Sequence, residues 1–239
     1  MMNKDENVFT ATTELVEAVN SNLLDTVIDL SQINLKAALL ALTGKDSLLA
    51  DIPILKWMIS GARIASNISM IHSIRKFSAF IKPIKDSGIF ENEVYKEKLE
   101  EICGSKKKLD FVIEQTLFSL DKYDAEIKAR WLAKMFVATF KDKKFSVDEY
   151  NAIQFSINSL NPITSISALE IYYQCRNNFR KNENYDKELE LKRTNADFSS
   201  LVLSGFLHLP KGGNFCGNLG GAFINDLGIR FYENIILES

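Results

Sequence analysis

From Glu14 onward the apolar residues of this chain return at every third or fourth position, the period of one face of an α-helix. Leu15, Val19, Leu23, Val27 and Leu30 form such a stripe within Glu14 to Leu42, with Asp25 and Asp29 on other faces, and Gly44 is placed to end that helix. Asp51 and Pro53 then supply a start signal, because an aspartate caps free backbone N–H groups and proline fits a first turn. The helix they open is predicted to run from Ile54 to Lys82, where Pro83 stops it, a length on the order of 45 Å at the rise of an α-helix. Trp57, Ile59, Ile64, Ile68, Ile71, Ile74, Phe77 and Ile81 spread around most of its circumference, which suits a central helix surrounded by others. Gly61, Ala65, Ser69 and Ser73 recur every four residues and make a stripe of small side chains, along which a second helix can approach closely in a soluble bundle or in a membrane.

Shorter helices are predicted next, at about Glu91–Cys103, Lys107–Lys122, Asp124–Lys141 and Val147–Leu160. Their short polar connections favour antiparallel neighbours and hence a bundle. In Asp124 to Phe140, the residues Ile127, Trp131, Leu132, Met135, Phe136 and Phe140 form an apolar face and Lys128, Arg130 and Lys134 decorate the rest. The turn that follows has the outline of a calcium-binding hand but not its chemistry. Lys141, Lys143 and Lys144 stand where the ion would sit, and the alternating oxygen ligands are missing. Ser146 and Glu149 read instead as an S-x-x-E capping box opening the next helix. Asn161-Pro162 breaks the pattern, a helix resumes over 163–182, and the polar run Asn182 to Arg193 reads as a linker.

Beyond it the texture changes, since seven of the eleven glycines fall between Gly205 and Gly228. In NADFSSLVLSGFLHLPKGGNFCGNLGGAFINDLGIRFYENII a helix ends at Ser204-Gly205, a strand Phe206 to Leu209 enters a glycine-rich tip, a strand Gly221 to Ile224 returns, and a helix opens near Asp226. This segment resembles the closing half of a winged-helix domain, with Asn225, Asp226, Leu227 and Gly228 standing where that family places an L-T-x-x-G phrase, and Phe231 and Ile235 behind it. The expected fold class is therefore mainly α: a multi-helix bundle over 1–181 with a small winged-helix-like α+β unit over 182–239.

The resemblance implies a helix, Asn195 to Leu207, that would enter a DNA groove. Its only charge is Asp197, and only Lys211 marks the wing, so nothing there is equipped to meet phosphate or guanine. Protein contact or structural closure is expected in place of sequence-specific nucleic-acid binding. The tip KGGNFCGNLGG lacks the G-x-x-x-x-G-K-[ST] order of a phosphate cradle. As a whole, the order of parts is similar to that of uncharacterised helical bacterial proteins: an acidic leader, D-I-P-I opening a helix with Gly, Ala and Ser, I-R-K-F-S-A-F-I closing it, and a glycine-rich tail. That resemblance implies the company of mobile or antiphage-defence genes and carries no catalytic residue with it.

Charge changes the picture at one place. The chain has a formal charge of −2, yet residues 1 to 51 carry 3 basic and 8 acidic side chains, while residues 52 to 85 carry Lys56, Arg63, Arg75, Lys76, Lys82 and Lys85 and no acid. An acidic leader folded back on a basic core helix accounts for this. So does a helix that meets an anionic membrane surface once the leader releases it, as a peripheral or pore-forming effector at the inner membrane. The first reading makes this a cytoplasmic interaction or regulatory protein with a protein partner.

Other chemistry is thinly represented. At 239 residues and 46% hydrophobic content the chain can bury a substantial core. Cys103, Cys175 and Cys216 are far apart and His72 and His208 stand alone, so neither a zinc site nor a Cys/His pair is indicated, reduced thiols are expected, and no cofactor is called for. The start MMNKDENVFTATTEL has no basic n-region or apolar core of a signal peptide, and the longest uncharged piece of the basic segment, Ile64 to Ile74, is short of a membrane span. Acid pairs such as Asp121 with Asp124, or Glu100 with Glu101, read as solvated helix faces rather than an acid/base couple, so the expectation is a non-enzymatic protein.

Overall fold

The computed structural model describes residues 67–89, 94–174, 176, 198–208 and 222–237. They form eight α-helices, a π-helical turn and one two-stranded sheet, so the described part of the protein is mainly α. The chain divides into two compact units, Met1–Lys141 and Asp142–Ser239. The leader helix over 14–42, its charge pairing, the polar run over 182–193 and the glycine-rich tip lie outside the described residues, as does the boundary expected at 181/182.

In the first unit α1 (Asn67–Asp86), α2 (Val94–Cys103), α3 (Lys106–Lys122) and α4 (Glu126–Phe140) form a helical bundle. The sequence pointed to the basic helix as the central one. Among the described residues, however, it is α4 that is enclosed on nearly every side, with ten of its fifteen residues buried. The composition of α4 explains this: Ala129, Ala133 and Ala138 keep several faces small while Trp131, Leu132, Met135, Phe136 and Phe140 fill the others. Against it α1 lays Phe77, Phe80, Ile81 and Ile84, all but inaccessible to solvent. The Phe80 and Phe136 rings meet edge-on at 6.2 Å, and Phe136 tilts against Phe140 at 4.5 Å.

Two expectations are corrected here. Pro83 does not stop α1, which continues to Asp86 with the proline inside it. A missing N–H and a ring clash cost a helix interior about 3 kcal/mol. Continuing the helix brings Ile84 into the core beside Ile81, and that burial offsets the cost. The actual stop is Ser87-Gly88: the Ser87 amide donates to Pro83 O at 3.0 Å, its hydroxyl donates to Ile84 O at 2.6 Å, and Gly88 takes φ +69°. Secondly, Lys128 does not decorate the surface. It is 2% exposed, and its ammonium lies 2.8 Å from the carboxylate of Asp124, one turn earlier and open to solvent. Tertiary packing buries the stem, and the neighbouring acid supplies the counter-charge.

Local signals set the other joints of this unit. Gly104, at φ +79°, reverses the chain after α2, and Ser105 caps α3 by accepting from the Lys108 amide at 3.3 Å.

The second unit contains α5 (Val147–Ser159), α6 (Thr164–Gln174), α7 (Phe198–Leu203), β1 (Leu207–His208), β2 (Phe223–Ile224) and α8 (Asp226–Phe231), which runs into a π-helical turn at Tyr232–Ile236. So α5 and α6, read from the sequence as the last helices of the bundle, belong to the same compact unit as the tail. The capping box is present: the Ser146 hydroxyl accepts from the Glu149 amide at 3.1 Å and Glu149 accepts from the Ser146 amide at 2.8 Å. Asn161 caps α6 by accepting from the Ile163 and Thr164 amides at 2.9 and 3.0 Å.

Serines knit α5, α6 and α7 together. Ser156 donates to Ser204 O at 3.0 Å, the Ser159 and Ser204 hydroxyls are 3.1 Å apart, and those of Ser165 and Ser200 are 2.9 Å apart. Beneath them Ile157, Leu169, Leu201, Phe206, Phe231 and Ile235 are fully buried, with Phe206 stacked on Phe231 at 4.4 Å.

The end of α7 is a Schellman turn in which Phe206 N donates to Leu201 O at 3.1 Å, Gly205 N donates to Val202 O at 3.0 Å, and Gly205 takes φ +75°. The turn aims β1 at β2, which pairs with it antiparallel, Leu207 opposite Ile224 and His208 opposite Phe223. Asn225 then fastens three pieces: its backbone amide donates to Phe206 O at 3.1 Å, its side-chain Nδ2 donates to Gly205 O at 2.6 Å, and its side-chain Oδ1 accepts from the Gly228 amide at 2.8 Å. At the far end the Leu237 amide donates to Tyr232 O at 2.9 Å, closing the π-turn. With this turn Tyr232 packs on Tyr173 at 4.6 Å while Glu233 accepts from the Tyr173 hydroxyl at 2.7 Å.

Candidate functional site

The basic segment is the first place to look for a site, and α1 carries its carboxyl-terminal half. Lys76 is half-buried, and its ammonium donates to Asp121 O at 2.9 Å and Tyr123 O at 3.0 Å. Those carbonyls close the last turn of α3, so the charge sits at the negative end of that helix. Burial lowers the Lys76 pKa from its ordinary value, and the nearby Asp121 and Asp124 pull it back up. Arg75 is also half-buried, its Nε 3.8 Å from a Glu126 carboxylate oxygen at the start of α4. Lys82 is exposed.

Lys56 and Arg63 lie outside the described residues, and so does the side chain of Lys85. Of the small-residue stripe, Gly61 and Ala65 lie outside them, Ser69 is in α1 without a described side chain, and Ser73 is half-exposed. Of the basic residues whose side chains are described, Arg75 and Lys76 are turned to the joint between α3 and α4. The acids weighed as a couple share this joint in structural roles. Asp124 pairs with Lys128, whose hydrogen bond holds the Asp124 carboxyl below its ordinary pKa, and Asp121 lends its backbone carbonyl to Lys76. Cys103 is buried at the end of α2, and burial pushes its thiol up to about 11, which keeps it protonated and unreactive at neutral pH.

The second place is the surface of α7 and the hairpin. The described sequence of α7, FSSLVL, holds no charged side chain. Leu203 is 84% exposed at its end, and Ser199 is exposed one turn before. On the hairpin His208 is exposed, stacked on Phe223 at 5.6 Å. Among the described residues of α7, the hairpin and α8, Arg230 is the one Lys or Arg, and it is committed inward. Its guanidinium lies over the Phe145 ring at 5.0 Å, donates to Lys144 O at 2.9 Å and pairs with the Glu149 carboxylate. That pairing holds Glu149 below, and Arg230 above, their ordinary pKa values. The Glu149 that closes the α5 capping box thus also anchors α8. Lys211 of the glycine-rich tip lies outside the described residues.

Sequence spacing could not find these pairings. Lys76 and Tyr123 are 47 positions apart, and Arg230 and Glu149 are 81 apart. The only local trace was the capping box, which marked Glu149 as structural. Among the described residues no helix is long and apolar enough to cross a membrane, and no group of three or more His, Cys, Asp or Glu side chains is placed to hold a metal ion. The chain matches no family model, no curated protein and no solved structure.

Proposed function

We propose that this protein is a non-enzymatic interaction or regulatory protein, in which the second unit is a winged-helix-like module that binds a protein partner through α7. The order of elements supports the comparison: helices α5, α6 and α7, a β-hairpin, then a closing helix fastened by Asn225 and Gly228. A role in bacterial antiphage defence belongs to the same proposal and rests on the resemblance in the order of parts.

The observation that carries the proposal is Leu203. A large apolar side chain 84% exposed, on a helix with no described cation, is suited to a desolvated protein contact and unsuited to a phosphate backbone. Phe155 of α5 is half exposed as well. The alternative role, insertion of the basic helix into a membrane, is opposed by the burial of Phe77, Phe80, Ile81 and Ile84 on α4, which insertion would have to undo.

The test is a photo-reactive residue placed at position 203 and, as a control, at the exposed position 170. One discrete cross-linked protein is expected from position 203, absent from position 170, lost when unlabelled wild-type protein is supplied in excess and retained when Leu203→Asp protein is the competitor. Cross-linking to nucleic acid from position 203, or the same products from both positions, would refute the proposal.

A further inference from the structure

A quarter of the chain is charged, yet residues 150–174 and 198–208, which hold most of α5 and all of α6, α7 and β1, contain one Asp, Glu, Lys or Arg, the exposed Glu170. Burial does not account for this, because many of these residues face solvent. Ala152, Phe155 and Ser159 succeed one another at helical spacing on the exposed side of α5. Ile163 is 76% exposed at the entry to α6, and Leu203 is 84% exposed on α7. Elsewhere the same unit is charged in the ordinary way: Asp142, Lys143, Lys144 and Asp148 precede this stretch and Asp226 opens α8, all of them exposed.

The uncharged stretches adjoin one another. Ser159 sets its hydroxyl 3.1 Å from that of Ser204, the residue after Leu203. Ser200, one turn before Ser204, sets its own 2.9 Å from that of Ser165, two residues after Ile163. Glu170 bounds the region, seven residues on from Ile163 and so about 10 Å along the helix axis. Solvated surfaces carry charge at roughly a quarter to a third of their positions, whereas the centres of protein interfaces lose charge and keep large apolar side chains.

The same feature defines what fits. A charged group brought against these helices would give up its water and find no counter-charge, so a charged surface is selected against. An apolar surface covers Phe155, Ile163 and Leu203 without that loss, and hydroxyl or amide groups around it can bond the serines. We infer that α5, α6 and α7 form one docking face whose occupant is a protein with an uncharged, apolar-centred contact surface. This rests on the reading of α7 as a partner-binding element, and adds Phe155, Ile163 and the chemistry of the partner to it.

Photo-reactive residues at 155, 163 and 203 test this, cross-linked in cells that make the protein and again in extract at about 1 M salt, where exposed charges are screened within roughly 3 Å. The attached peptides are then sequenced. One and the same identified protein is expected from all three positions, undiminished at high salt, and attached through peptides poor in charged residues. With that protein purified, Ala152→Lys, an exposed change that leaves the helix intact, should weaken binding by about tenfold or more, and Glu170→Lys should not. A product from 203 alone, loss of the product in high salt, attachment through a charged peptide, or indifference to Ala152→Lys overturns the inference and leaves the reading of α7 standing. No protein product from 203, or labelling of lipid or nucleic acid in its place, removes both.

Discussion

Single residues in this protein hold joints that no local pattern announces. Gly228 shows how tightly one is made: a Cβ added there would stand 2.4 Å from Phe206 O and 2.9 Å from Ile224 Cγ1. One obstacle is backbone, which cannot swing aside as a side-chain end can. Gly228→Ala should therefore destabilise the second unit by roughly 1–3 kcal/mol, read as a lower denaturation midpoint with unchanged slope; a neutral substitution would mean that α8 does not press on the β1 entry. The sequence exposed part of this joint. Asn225 and Gly228 stand in the phrase by which this segment resembles a winged helix, but nothing in it shows that Asn225 caps α8 or that Phe206 lies beneath the glycine. Lys76 and Lys128 were likewise visible as charges, but the sequence did not show that packing covers the first in part and the second almost wholly, because burial is decided by which helices pack around them.

Helices are where sequence reading succeeded most fully. The starts of α3, α5 and α8 fall within a residue of expectation because serine and asparagine caps are local chemistry, written in adjacent positions. Pro83 marks the limit of that approach. A stop signal acts against whatever the continued helix gains, and here the gain is Ile84 buried on the α4 side, a long-range contact. It follows that proline at this position strains a helix that forms anyway. Pro83→Ala should raise stability, by about 1 kcal/mol after the loss of the partly buried ring, in chemical denaturation. A marked loss of stability would instead make the proline a boundary that the fold depends on.

Among the described residues of the molecule, charge is committed to the pairs Arg230–Glu149 and Lys128–Asp124. The Arg230 hydrogen bond holds the Glu149 carboxyl below its ordinary 4.5, so the pair stabilises the fold above that pH and the contribution is lost as the pH falls through the lower value reached in the native state. Asp124, held below its ordinary 3.8 by Lys128, acts in the same direction in the first unit. Wild-type stability should decline on acidification below about pH 4.5 more steeply than that of Glu149→Gln, as followed by thermal melting across a pH series. Parallel curves for the two proteins would remove the pair from the acid response.

The same commitment of charge bears on the two roles offered for the basic helix. Arg75 and Lys76 face Glu126 and the end of α3, the apolar residues beside them are buried, and Lys82 is left as an exposed cation of α1. We place α1 in the core, its apolar face on α4, and propose that the working surface lies elsewhere. Co-sedimentation of the full chain with neutral and anionic liposomes, at low and physiological salt, tests this most directly. The account predicts that the protein stays in the supernatant with both vesicles and that Lys82→Glu behaves identically. Salt-sensitive pelleting with anionic vesicles, reduced by Lys82→Glu, would contradict it and make α1 a membrane-surface element.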